Sequence, residues 1–152
     1  VMVLLETTAG TGTSLGSRFE ELAELRTLIP AELRHRIGYC ADTCHLYSAG
    51  YDLVNAYDAV WEEWERLIGI EHLHCFHLND SKTPFASRKD RHELIAEGSL
   101  GPEPFRRIMR DPRFADVIKV LETPKGDDMV TNDRRMLRRL RAYKRGRPKR
   151  VR

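Results

Sequence analysis

The chain has 152 residues, a length at which one domain is the default. Hydrophobic residues make up 41% and charged residues 32%, a globular balance that excludes disorder as the state of the whole chain. No apolar run approaches the roughly 18–20 residues that cross a bilayer, so no membrane role is expected. The net charge of +3 hides an asymmetry: residues 1–133 hold all 23 acids against fifteen Lys/Arg, and residues 134–152 hold eleven Lys/Arg and no acid. A basic tail on an acidic body suits a polyanion partner, or else is simply a solvated tail.

The first residue is Val and lies inside the apolar run Val1–Leu5, so the chain reads as a piece of something longer. That run is no signal peptide, because Glu6 cuts it short and no basic residue precedes it. Cys40, Cys44 and Cys75 match no zinc-ribbon or Cys-x-x-Cys spacing. They read as buried, reduced thiols in a cytoplasmic protein.

Four short apolar runs are expected to be buried strands: Val1–Leu5, Arg36–Ala41, His72–Leu78 and Val117–Leu121. Helical spacing separates them. Phe19, Leu22, Ala23 and Ile29 form one apolar stripe. Tyr57, Val60, Trp61, Trp64 and Ile68 form a second, which Gly69 is placed to end. Pro102 opens a short helix carrying Phe105, Ile108 and Met109. A last helix starts near Thr131 and carries Met136, Leu137, Leu140 and Tyr143. Strands alternating with helices imply a parallel α/β fold. The glycines of Thr8–Gly16 lack G-x-G-x-x-G spacing and read as a flexible loop after the first strand.

Each expected strand finishes on a residue able to bind a metal: Glu6, Asp42, His77 and Glu122, at intervals of 36, 35 and 45 residues. Each interval is about one β/α unit. In parallel α/β folds the C-terminal strand ends share one face, where sites are built. A lone acid after a strand is commonly a helix cap; four ligand types in phase point to a cluster. His45 follows Asp42 by three residues, and Asp90 and His92 sit in the long loop after the third strand. His35, His72 and His74 read as surface or packing residues. A mixed carboxylate and imidazole set suits Zn²⁺ or Mn²⁺ rather than Mg²⁺ or Ca²⁺. Seven ligands exceed the needs of one tetrahedral ion, so at least two metals are expected. Adjacent metals activate water and clamp the attacking and leaving oxygens of a phosphoester. The residues thus suggest a metal-dependent phosphodiesterase acting on nucleic acid.

The segments Leu5–Gly10, Ala41–His45, His77–Asp80, Asp90–His92 and Leu121–Pro124, with Ala49–Asp52 and Gly98–Gly101, resemble endonuclease IV in order and spacing. That family comprises zinc-dependent endonucleases of base excision repair that cut double-stranded DNA at abasic sites. The resemblance implies the C-terminal half, four β/α units, of a TIM barrel over residues 1–143. The basic, disordered tail expected over 144–152 is read from its charge and departs from the family core, whereas the resemblance implies a site of up to three Zn²⁺ ions. Glu6 would bridge the first and second ions; Asp42, His77 and Glu122 would complete the second; His45, Asp90 and His92 would hold the third. Glu6 and Glu122 would be catalytic, orienting the hydroxide that attacks the phosphorus 5′ to the abasic sugar. Lys82 and Arg91, in loops on the same face, would contact DNA phosphates or else be solvated loop charges, and the full-length protein would be a monomer. Two further histidines of the first zinc belong to the missing half. Arg145 and Arg147, in Arg145–Lys149, resemble the core of an AT-hook that enters an A·T minor groove. Two other readings stand beside this one. A sugar isomerase or epimerase of the xylose-isomerase-like barrels also places Glu, Asp, His and Glu at successive strand ends. A half-barrel that only binds DNA needs no chemistry.

Overall fold

The computed structural model describes residues 1–145. Its main sheet contains β1 (Val3–Glu6), β2 (Ile37–Asp42), β3 (Leu73–His77) and, last in sequence, β6 (Ile118–Val120). The order is β1-β2-β3-β6 and every pairing is parallel, so strands consecutive in the wall are neighbours. A small antiparallel hairpin, β4 (Asp80–Ser81) with β5 (His92–Glu93), rises from the segment after β3. The helices are α1 (Phe19–Thr27), α2 (Thr43–Ala49), α3 (Tyr57–Leu67), α4 (Glu103–Arg110) and α5 (Thr131–Arg145). The fold is therefore α/β with a four-stranded parallel wall, as expected.

The strands sit one or two residues from their expected bounds. Arg36 and His72 end short 3₁₀ turns instead of opening β2 and β3. As a result Glu6, Asp42 and His77 are the last residues of their strands, and Glu122 lies two residues past β6. Ile29, grouped with α1 by spacing, lies beyond that helix. Pro30 follows it and disfavours helical backbone at the preceding residue. Leu137 turns outward from α5, whose buried residues are Met136 and Leu140. Helix α2 has no counterpart in the expected elements. Residues 146–152, Arg147 among them, lie outside the described residues, and α5 continues through Arg145.

Strand alternation sends Tyr39, Ala41 and Phe76 into the core beneath the helices. Trp61 and Trp64 of α3 are fully buried there. Phe114 lies edge-on to Trp61 at 4.8 Å and to Phe76 at 5.0 Å. By the same alternation the opposite sheet face carries Gly38, Cys40 and Asp42 from β2, and Cys75 and His77 from β3. Among the described residues β1 and β6 each have one strand neighbour. Met2, Val3, Ile118 and Val120 are exposed beside these open edges. The wall is half of a closed barrel's strand count.

Trp61→Ala removes the ring that joins α3 to Phe76 and Phe114. Urea denaturation followed by circular dichroism is expected to show a loss of about 3–5 kcal/mol. A loss under about 1 kcal/mol would mean that this cluster does not hold the helices to the sheet.

Candidate metal centre

The parallel ladder brings the strand ends to one level. Asp42 pairs in register with His77, and Glu6 with Cys40 two residues before Asp42. Glu6, Asp42, His77 and Glu122 consequently offer ligand atoms that all lie within 4.8 Å of one another. His77 Nδ1 is 2.9 Å from Glu6 Oε1 and 3.0 Å from Glu122 Oε2. The hydrogen bond to Glu6 raises the His77 pKa; burial opposes it, and the charges of Glu6, Glu122 and Asp42 add to it. Burial works to raise Glu6, but the His77 bond and the charges of His77, His45 and His92 outweigh it, and its pKa is lowered.

Asp42 is wholly buried and serves two groups at once. Its Oδ1 accepts the His45 backbone N–H at 2.9 Å and so caps α2. Its Oδ2 accepts the Asn79 amide at 2.7 Å and faces His92 Nε2 at 3.5 Å. Burial raises its pKa against the pull of His45 and His92.

Asp42, His45 and His92 form a second convergence, and Asp90 closes it. Asp90 Oδ2 is 3.2 Å from His45 Nε2, and Asp90 Oδ1 is 3.1 Å from His92 Nε2. The hairpin makes this possible, because the Asp80–Glu93 and Ser81–His92 pairings return the long loop to the strand ends. Gly98 is required beside it: a Cβ there would come 2.3 Å from the Ser81 carbonyl.

Both imidazoles are oriented from behind. His45 Nδ1 lies 2.8 Å from the Thr7 carbonyl, and His92 Nδ1 lies 3.2 Å from the Glu122 carbonyl. A carbonyl only accepts, so each Nδ1 carries a hydrogen, and in the neutral imidazole each Nε2 is then a free electron pair. The two Nε2 atoms face one another at 3.4 Å. Two acceptors at that distance repel unless a cation stands between them. Tetrahedral zinc with bonds of about 2.0–2.1 Å separates its nitrogen ligands by about 3.3–3.4 Å. The donor set therefore fits a zinc-like ion.

Lys82 and Arg91 are exposed and flank each other on the hairpin, where the Lys82 N–H donates to the Arg91 carbonyl at 2.8 Å. Arg145 is not brought to this face. Arg110, at the far end of α4, donates to the Tyr143 carbonyl, so α5 finishes at the opposite end of the sheet. His35, His72 and His74 fall in no ligand group among the described residues.

Sequence reasoning assigned no role to Asn79, which is fully buried at the centre of this face. Its amide donates to Asp42, and its side-chain oxygen accepts the Glu122 N–H at 3.0 Å. It thus ties two strand ends together. Thr7 and Thr43 were also missed. Thr7 Oγ1 accepts the Asp42 N–H at 2.9 Å, and Thr43 Oγ1 donates to the Asn79 carbonyl at 2.7 Å. The detectable signal was position alone: each directly follows a strand-end ligand or stands two residues after one.

The family model of the xylose isomerase-like TIM barrel matches residues 1–141. This chain belongs to that family. Within it, the chain is 52% identical over 143 residues to a probable endonuclease 4 of Chloroflexus aggregans, covering 93% of this chain and 49% of that protein. A probable endonuclease 4 of Trichlorobacter lovleyi is 55% identical over 130 residues, covering 84% and 45%. The crystal structure of endonuclease IV from Thermus thermophilus superposes with a TM-score of 0.81 at 39% identity, over 93% of this chain and 49% of that one. The resemblance to endonuclease IV drawn from the motifs is borne out by these matches. The chain spans about half the length of the curated relatives it matches. No described helix is long and apolar enough to cross a membrane.

A metal must displace protons from the imidazoles here. His45 and His77 have raised pKa values in the metal-free fold, so their protonated forms stabilise it fully below the ordinary value of about 6.5. That contribution is lost as pH rises through the raised values. Metal affinity is accordingly expected to climb as pH rises above the ordinary imidazole value and through the raised ones. Competition against a chromogenic chelator measures this, and a flat profile would exclude the histidines as ligands.

Proposed function

We propose that this chain carries the second and third metal positions of a zinc-dependent DNA repair endonuclease. The enzyme hydrolyses the phosphodiester 5′ to abasic sites in double-stranded DNA, as in base excision repair, and works in the cytoplasm. The observation that carries the reading is the pair of rear-anchored histidines facing each other at 3.4 Å beside a four-residue carboxylate and imidazole group. The His45, Asp90 and His92 group favours this over a sugar isomerase, which needs only the four strand-end ligands. The names of the relatives support the same choice.

In this reading Glu6, Asp42, His77 and Glu122 hold one zinc, and Asp90, His45 and His92 hold another, with Asp42 at their border. Manganese suits the same donors. Bound zinc supplies Lewis acidity and activates water at neutral pH. Glu6 and Glu122 retain solvent access, with side chains 36% and 43% exposed, and would orient the attacking hydroxide. Asn79 ties Glu122 to Asp42 and so keeps the two strand ends in place. Lys82 and Arg91 grip backbone phosphate at the hairpin. Arg145, at the end of α5, acts away from the chemistry, and Arg145 and Arg147 add nonspecific attraction to the duplex through their charge. Residues 1–143 form the barrel portion, and a first zinc position with Glu6 as its bridge needs ligands from outside this chain. The complete barrel acts as a monomer.

The test is EDTA-sensitive nicking of a duplex carrying one tetrahydrofuran abasic analogue. In a complete barrel that includes this sequence, Glu122→Gln is expected to lower the nicking rate by about 10²–10³-fold while gel-shift affinity for the duplex persists. Near wild-type nicking by the variant would remove Glu122 from the chemistry. Turnover of a ketose without any nicking would replace the reading altogether.

A further inference from the structure

The carboxylate face ends against sulfur. Cys40 and Cys75 are directly paired across β2 and β3. Both are buried, and neither is in a disulfide. They do not join the core beneath the helices, which takes their strand neighbours Tyr39, Ala41 and Phe76. They lie instead on the opposite face, where Cys75 precedes His77 by two residues and Cys40 precedes Asp42 by two. Their two sulfurs and one ring nitrogen of His77 lie within 4.8 Å of one another. Two thiols and an imidazole are a donor set for soft cations, in contrast to the oxygen-rich groups just above them.

We propose that Cys40, Cys75 and His77 form a further site, sharing His77 with the carboxylate group, for a thiophilic d¹⁰ cation of the Cd²⁺ or Hg²⁺ class. On binding, two S–H bonds break, two metal–sulfur bonds form, and two protons leave to solvent. One divalent charge replaces two protons, so the buried pair remains neutral overall and its burial is not penalised. His77 belongs to both this group and the Glu6, Asp42 and Glu122 group. A soft cation on the sulfurs therefore engages an imidazole that the carboxylate group also uses. The lower site is a point at which toxic soft metals disable the upper one. The proposal rests on the zinc reading only for that last consequence.

The probe is Cd²⁺ added to the chelator-treated, reduced chain. The readouts are the ultraviolet sulfur-to-cadmium charge-transfer band and the ¹¹³Cd resonance. Carboxylate-bound cadmium gives neither the band nor a thiolate-range resonance, so failure of the zinc reading would leave this test intact. Cys44 has candidate partners of its own in Asp90 and His92, so each variant is also made in a Cys44→Ser background; wild type and Cys44→Ser are expected to show both signals. Cys40→Ser and Cys75→Ser are each expected to weaken the cadmium affinity read from the band at least about tenfold. A band that survives both of these substitutions, or one that only Cys44→Ser removes, would overturn the proposal. So would a wild-type ¹¹³Cd spectrum confined to the oxygen-ligand range, a measurement that needs no variant to fold.

Discussion

A fully buried aspartate joins nearly every element of the candidate site. Asp42 ends β2, caps α2, accepts from Asn79 after β3, and faces His92 on β5. Its own N–H is held by Thr7 after β1. An ionised carboxylate without solvent is costly unless it is paired and hydrogen-bonded. Asp42 meets that cost with partners drawn from four different segments, and in doing so brings the segments to one place. The surrounding Glu6, Asp90 and Glu122 add like charge that the three histidines only partly offset. A structure that concentrates so much negative charge in so small a volume is arranged for cations.

The sheet supplies the precision. In a parallel ladder a slip of one residue turns every side chain to the other face. Such a slip in β3 would send His77 into the aromatic core and Phe76 toward the carboxylates. The buried ring contacts of Phe76 with Trp61 and Phe114 resist this, so the core holds the register that the ligands need. The histidines are then aimed by backbone carbonyls of Thr7 and Glu122, which leaves little freedom in the position of either Nε2.

The strand ends were legible because apolar runs are short and each stops at a ligand-type residue. Their spacing already implied convergence for Glu6, Asp42, His77 and Glu122. Helix α2 was not legible: seven residues are too few for a periodic stripe, and its cap is a residue already read as a ligand. The two-residue strands β4 and β5 carry no pattern of their own, yet they deliver Asp90 and His92. Asn79 looks like an ordinary turn residue in sequence; its importance comes from lying between two carboxylate-bearing strand ends. The position of Arg145 also depends on tertiary structure, because α5 runs back along the sheet and carries its basic end away from the ligands. Likewise, cysteines that look like small core residues in sequence lie beside the ligand groups, Cys40 and Cys75 near His77 and Cys44 near Asp90 and His92.

The central claim is that the strand ends build two adjacent metal positions within this half-barrel. Anomalous diffraction at the zinc absorption edge, on crystals of the zinc-loaded chain, tests it most directly. Two peaks are predicted, one between His45 Nε2 and His92 Nε2 and one among Glu6, Asp42, His77 and Glu122. The absence of both peaks, or zinc only at His35, His72 or His74, would contradict the account.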